Sequence, residues 1–468
     1  MNSRAVPRAT DPFSASFRDP SGFVFQQDGE IYRQVNRSYK EDYDHLIASG
    51  LYAALVKAEA LVQHEEIGFS QAPSEDAYKI LKPKRVPFIS YPYEWCFSQL
   101  KDAALLTLEI QKRALDFGAS LKDCSAYNVQ FAGGKPIFID TLSFERYRPG
   151  EPWVGYRQFC QHFVAPLALM SWRDARLNQL LQTHLDGIPL DLAGRLLPIR
   201  SYLRFGIFLH IHAHARSQVR HSSTVVEHLK SKRFTLRSLY GLIESLQACV
   251  RNMTGFRDRA VWADYYSAPT SYDSVSIEHK QKLVSQFLDL LKPASVWDFG
   301  ANTGLFSRLA SDRGIPTVAF DSDPACVEIN YRATVSKGER NLLPLLMDLT
   351  NPSPELGWEN RERMSIWERG PADAGLALAV IHHWAIANNV PLDRIASFFT
   401  RACRSLIVEF VPKSDPMVQR LLAGRKDIFP HYDVDGFERA FRDFVAIRKE
   451  RIKKSDRTLY LMRPAGSG

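Results

Sequence analysis

The alternation of apolar and polar positions divides the chain into two kinds of territory. Gly22-Phe23-Val24-Phe25 and Glu30-Ile31-Tyr32-Arg33-Gln34-Val35 flank Asp28-Gly29, which predicts a β-hairpin. Helical spacing follows from Tyr43 to about Val62. A second strand pair is expected at Ala77–Leu81 and Val86–Tyr91, around Lys82-Pro83-Lys84. A long helix runs from Phe97 to about Phe117 and stops at Gly118, a natural C′ residue. Residues 160–255 have mostly helical spacing, broken at Gly187-Ile188-Pro189 and Pro198.

From Ile277 the rhythm changes. An amphipathic helix to Leu291 leads into Val296-Trp297-Asp298-Phe299, and further short apolar runs follow at Thr317–Phe320, Leu342–Met347, Ala374–Ile381 and Ser405–Val408. Helical stretches separate them, and the last two runs, Phe444–Ile452 and Arg457–Met462, flank a polar turn. Continuous apolar runs alternating with helices predict parallel strands covered on both faces.

Length and composition set the frame. At 468 residues the chain exceeds one typical domain of about 150 residues. Its 45% apolar and 12% aromatic content is that of a globular protein. A net charge of +8 is modest for this length and does not support a nucleic-acid partner. The six cysteines are scattered without a Cys-x-x-Cys pair, so reduced thiols in a cytoplasmic protein are expected and a metal centre is not. No secretory leader is visible in the first residues, and no apolar run reaches the roughly 20 residues of a membrane span.

The chemistry concentrates at the first C-terminal strand, which ends in Asp298-Phe299-Gly300-Ala301-Asn302-Thr303-Gly304. A strand, a tight glycine turn and a helix start let backbone approach a nucleotide-like ligand. Asp321 closes the next strand about twenty residues on, where ribose is recognised. Asp348 follows the third. Acids at the ends of successive strands lie where open α/β sheets bind ligands. This order resembles motif I of class I S-adenosylmethionine-dependent methyltransferases, with Asn302 standing at the middle glycine. The resemblance implies a Rossmann-like seven-stranded sheet over about 262–465. It further implies S-adenosyl-L-methionine as cofactor, held by Asp298, Gly300, Asn302, Gly304, Asp321 and Asp348, with Asp348 near the adenine. Backbone donors of the turn and the nearby carboxylates are both expected to serve the zwitterionic end of that cofactor. His382 and His383, after the fourth strand, are the candidate catalytic residues, either one serving as general base for a hydroxyl. Glu409 and Tyr265 or Tyr266 are second-rank candidates for lining the acceptor pocket. A small-molecule acceptor is expected.

The N-terminal half carries a second constellation. Leu121-Lys122-Asp123-Cys124-Ser125-Ala126-Tyr127-Asn128 is followed by a Gly133-Gly134 turn and by Pro136-Ile137-Phe138-Ile139-Asp140. This resembles the active-site core of the protein-kinase and aminoglycoside-phosphotransferase superfamily. The resemblance implies that Asp123 would orient a hydroxyl while Asn128 and Asp140 held Mg²⁺ against ATP. No His precedes Asp123, no glycine-rich loop stands near residue 22, and Arg33 or Lys79 are the stand-ins for the phosphate lysine. Between 200 and 237 the chain is basic, with His210, His212 and His214 alternating, which favours a solvated or partner-facing helix over a metal pair.

The expected architecture is therefore α/β. A tail (1–20) leads to a kinase-like α+β region (21–165), a mostly helical connection (166–261) and a class I methyltransferase domain (262–468). Together with Ser90-Tyr91-Pro92-Tyr93-Glu94-Trp95, this order resembles a bacterial family of two-part class I methyltransferases related to a rhizobial nodulation protein. A bifunctional protein with nucleotide binding in its first half, and a non-catalytic binding protein with vestigial sites, are the alternative readings.

Overall fold

In the computed structural model, residues 16–68, 72–216, 234–255 and 274–465 are described. The chain divides into two units. One comprises Met1–Phe256 with Glu355–Arg363, and the other Arg257–Pro354 with Met364–Gly468.

The first unit opens on strands β1 (Gly22–Gln27) and β2 (Glu30–Asn36), paired antiparallel through the Asp28-Gly29 turn. Gly29 takes φ +79 and Asp28 φ +52, the left-handed conformations such a turn requires. Instead of one helix from Tyr43 to Val62 there are two, Lys40–Ala48 and Leu51–Lys57, because Gly50 stands between them at φ +84.

Strand β3 (His64–Ile67) follows and pairs with β4 (Ala77–Pro83), giving the order β1-β2-β4-β3. The strand expected at Val86–Tyr91 is absent. Pro87 there offers no N–H to a ladder. The Ser90 N–H donates instead to the Gln130 side chain at 2.8 Å, and Gln130 donates back to the Ser90 carbonyl at 2.9 Å. The long helix is present at Phe97–Asp116, with Gly118 beyond it at φ +70. Beyond it lie β5 (Ala119–Leu121), β6 (Val129–Ala132), β7 (Lys135–Phe138) and β8 (Phe144–Arg146). β5 pairs antiparallel with β8, and β6 and β7 between them form a hairpin.

Short helices then take over, and the basic histidine segment differs from expectation. Phe208–Ala213 is a π-helix, and His210 and His212 are buried rather than solvated. His210 meets the Tyr156 hydroxyl at 2.9 Å and the Ser245 hydroxyl at 3.0 Å, and His212 meets Ser201 at 2.8 Å. Burial without an acid lowers the pKa of each, and neutral rings pack there as hydrogen-bonding core. The remainder of that basic stretch, residues 217–233, lies outside the described residues.

The second unit is one seven-stranded sheet. Its strands are β9 (Val296–Phe299), β10 (Thr317–Asp321), β11 (Leu342–Leu346), β12 (Ala374–Ala377), β13 (Leu406–Phe410), β14 (Phe444–Arg451) and β15 (Thr458–Pro464). They lie in the order β11-β10-β9-β12-β13-β15-β14. The first five are parallel, and β15 enters antiparallel to β13. All of β9, β12 and β13 is buried, as both faces are covered. On one face Leu283, Val284, Phe287 and Leu288 of the helix Ser274–Leu291 join a cluster with Val296, Leu376 and Ile407. Elsewhere in the core, Phe299 meets Phe399 with ring centroids 5.4 Å apart. β12 stops earlier than its apolar run, because Ala379 turns to φ +55.

Candidate functional site

The strand order reverses at β9: the chain runs outward through β10 and β11, then crosses to β12. The crevice at that reversal, beyond the carboxyl ends of the strands, is the ligand position of open α/β sheets. The sequence delivers its turn there. Gly300, Asn302 and Gly304 all have left-handed backbone, at φ +83, +52 and +83. Asn302 at the middle position is thus in the conformation that asparagine tolerates better than most residues. A Cβ on Gly304 would lie 2.4 Å from Asn330 Oδ1, and one on Gly300 would press Val380 at 3.2 Å.

The turn spends its donors internally. Gly300 and Ala301 donate their N–H groups to the Phe320 carbonyl, both at 2.9 Å, and Gly304 donates to Ala301 at 2.9 Å. Asn302 N–H donates to Asp321 Oδ2 at 2.7 Å, and Thr303 N–H to Asn302 Oδ1 at 2.8 Å. The expectation that these backbone donors serve a ligand is therefore corrected. The backbone of the turn is left with carbonyl oxygens, beside the Asp298 and Asp321 carboxylates.

Of those carboxylates Asp298 lies deepest and Asp321 is half-buried. Asp298 is buried and accepts the Ser307 hydroxyl at 2.6 Å. Burial pushes its carboxyl up to about 7, against the opposing pull of Ser307 and the Lys280 charge. Asp321 also accepts the Asp323 N–H at 2.9 Å, and burial raises it too. Asp323 meanwhile caps the helix Pro324–Lys337. Asp348 is exposed beyond β11, and its carboxylate accepts the N–H and the hydroxyl of Thr350 at 2.9 and 2.7 Å.

The two histidines differ although their ring centroids are 4.2 Å apart. His382 is fully buried, and neither ring nitrogen has a hydrogen-bond partner among the described residues. Burial drives it well below the usual histidine range, helped by His383, Arg457 and Lys280. His383 begins a π-helical turn and is only partly buried, and it too is lowered, chiefly by burial.

Sequence reasoning missed the buried ionic network beside them. Lys280 Nζ lies 2.6 Å from Glu409, and Arg457 lies 3.5 Å from Glu409 and 2.7 Å from Asp415. Glu409, expected to line the acceptor pocket, is thereby committed to Lys280 and Arg457 inside the protein. A lysine within an amphipathic helix and an arginine before a strand give no local signal of such pairing. Tyr265 and Tyr266 lie outside the described residues.

In the first unit the trio does come together. Asp140 pairs with Arg33 at 2.7 Å and accepts the Leu142 N–H at 3.1 Å and the Ser143 hydroxyl. Asn128 Nδ2 lies 3.2 Å from Ser143 Oγ, and its side chain also bonds to Asp123. Asp123 accepts the Gln158 amide at 2.8 Å and the Ser125 N–H at 3.0 Å. Burial, then the Asp140 charge, raises the Asp123 carboxyl. Lys79, the other candidate for a phosphate lysine, is paired with Glu66 on β3.

No family model matches the chain. It is 37% identical over 475 residues to the nodulation protein NoeA of Rhizobium meliloti (strain 1021), across 98% of each protein. Among solved structures it is similar to the bifunctional kinase-methyltransferase WbdD, at 15% identity and TM-score 0.30, over 46% of this chain and 45% of that one. The chain thus spans less than half the length of WbdD. Magnesium protoporphyrin IX methyltransferase from Synechocystis PCC 6803, with bound SAM, matches at 15% identity and TM-score 0.30, over 44% of this chain and 89% of that chain. PH0226 protein from Pyrococcus horikoshii OT3 matches at 17% identity and TM-score 0.32, over 43% and 98%.

Proposed function

The chain belongs to the family of the rhizobial nodulation protein NoeA, and from that premise we propose that it transfers a methyl group from S-adenosylmethionine to a small-molecule acceptor in the cytoplasm. The observation that carries this reading is the spent donors of the 300–304 turn. A dinucleotide pyrophosphate needs free N–H groups at such a turn. Here all five N–H groups from Gly300 to Gly304 already donate within the protein. Carbonyls and the Asp298 and Asp321 carboxylates suit a ligand with an ammonium, a sulfonium and ribose hydroxyls, and these acceptor oxygens fit S-adenosylmethionine.

Asp321, at the end of β10, takes the ribose hydroxyls. Two backbone N–H groups already fix the direction of its carboxylate, so little ordering is left for the ligand to impose. Asp298, once ionised above about pH 7, would balance the ammonium, and Asp348 would meet the adenine. When bound, the cofactor supplies an electrophilic methyl on positively charged sulfur. Transfer to an acceptor lone pair would release that methyl from the sulfur, with S-adenosylhomocysteine as the co-product. The acceptor proton passes to the imidazole of His383, the partly exposed member of the pair. His382, buried and neutral, packs against that ring with centroids 4.2 Å apart. The protein contributes chiefly proximity and alignment.

Calorimetry with S-adenosylmethionine on the wild type and on Asp321→Ala tests the reading. Losing hydrogen bonds to a charged group costs about 1.5–3 kcal/mol, so binding weakens about 10–100-fold. Equal binding by both proteins removes the ribose assignment. Wild-type binding of NAD in preference to S-adenosylmethionine removes the function.

A further inference from the structure

The resemblance of the first unit to phosphotransferases implies a divalent cation between Asn128 and Asp140. The residues present do not fit one. Oδ1 of Asp140 already holds Arg33 Nη1 at 2.7 Å and the Leu142 N–H at 3.1 Å, and Oδ2 holds the Ser143 hydroxyl. Ser143 gives its one proton to Asp140, so toward Asn128 it can only accept. The Asn128 neighbour on the other side is the Asp123 carboxylate, also an acceptor. Both sides therefore require the amide nitrogen, and the carbonyl oxygen that a metal would need is turned away from both acids. Asp123 is furnished separately, by Gln158 and the Ser125 N–H.

The surroundings repeat the pattern. Arg33 Nη2 reaches Asp19 at 3.3 Å, and Lys122, next to Asp123, donates to Ser21 Oγ at 2.8 Å. Both cations flanking the trio are thus engaged by the segment that leads into β1. The β1–β2 hairpin turns on two residues, which leaves no loop of free N–H groups to cover phosphates.

We propose that the N-terminal unit works without a divalent cation, Arg33 supplying from within the chain the positive charge that a metal would bring to Asp140. The guanidinium fork on β2 neutralises the carboxylate, and Ser143 and Asn128 pass the hydrogen bonding on to Asp123. The trio is satisfied within the chain and ties β2 to the loop after β5, while Arg33 Nε has no hydrogen-bond partner among the described residues.

The test uses the full-length protein. Free Mn²⁺ is followed by electron paramagnetic resonance during titration, and thermal melting is followed with Mg²⁺ and ATP. For the wild type, Mn²⁺ remains free and melting shows no saturable Mg²⁺-dependent nucleotide shift. Arg33→Ala leaves Asp140 without its counter-charge and gains about one bound Mn²⁺ per chain, whereas Arg33→Lys gains none. Circular dichroism establishes that each variant is folded. A folded Arg33→Ala protein that leaves Mn²⁺ free overturns the counter-ion role. Wild-type binding of Mg²⁺ and ATP that is lost in Asp140→Asn overturns the whole inference, and that comparison stands even if Arg33→Ala does not fold.

Discussion

The Ser307 hydroxyl donates to Asp298 at 2.6 Å, so the first residue of a helix holds the acid at the end of the central strand. Buried there, the Asp298 carboxyl is pushed up to about 7. The folded protein thus holds a proton that the unfolded chain releases near pH 4. Between about pH 4 and 7 the unfolded state binds fewer protons at this group, and stability falls as pH rises. Asp298→Asn keeps the shape and an oxygen for Ser307 but removes the titration. Thermal melts across that window are expected to show a flatter profile than the wild type and a higher melting temperature at pH 8. The same variant should bind S-adenosylmethionine more weakly. Parallel pH profiles would refute the assignment.

The 300–304 turn makes opposite demands at two positions. Gly304→Ala combines left-handed backbone with a Cβ 2.4 Å from Asn330 Oδ1, and should cost about 1–3 kcal/mol in urea denaturation. Asn302→Gly restores the usual motif where the backbone is already left-handed, and should change stability by less than about 1 kcal/mol. A harmful Asn302→Gly would mean that the side-chain bond to Thr303, at 2.8 Å, outweighs the backbone.

Lys280, Glu409 and Arg457 form a charged knot with side chains at most 2% exposed. Glu409→Gln leaves two buried cations short of a partner and should cost about 3–5 kcal/mol. Lys280→Met with Glu409→Leu removes the Lys280–Glu409 pair, and its cost should fall well below the sum of the two single changes. Additive costs in a denaturation cycle would show that the two residues do not interact.

For His383→Ala, transfer of labelled methyl from S-adenosylmethionine to small molecules of a cell extract should drop about 10²–10⁴-fold. Cofactor affinity by calorimetry should stay unchanged. A matching loss of cofactor binding would place the ring in the binding machinery instead.

Much of the second unit was legible because its strands are short, apolar and punctuated by acids and turns. The positions of Asp298, Asp321 and the terminal hairpin follow from that rhythm. What escaped was long-range or conformational. Ala379 ends β12 by a backbone twist that no apolar pattern records. Glu409 read as a pocket residue because its partners, Lys280 and Arg457, lie far away along the chain. In the first unit, β4 finds β3 rather than the segment after it, since Pro87 spoils the expected partner and the four residues His64–Ile67 are too short a run to announce a strand. The histidines of the basic stretch looked solvated because their hydrogen-bond partners, Tyr156, Ser201 and Ser245, come from three other helical segments.

The excursion Glu355–Arg363 has a practical consequence for dissecting the protein. These residues lie between β11 and β12 in sequence, yet they count with the first unit, where Glu362 pairs with Arg18 and Arg363 lies 4.2 Å over the Tyr127 ring. No single cut of the gene yields two intact halves. A fragment beginning at residue 257 carries an orphaned strap, and one ending at 256 lacks it. Excising 355–363 and joining the ends with a short flexible bridge is the truncation that respects how the chain is threaded.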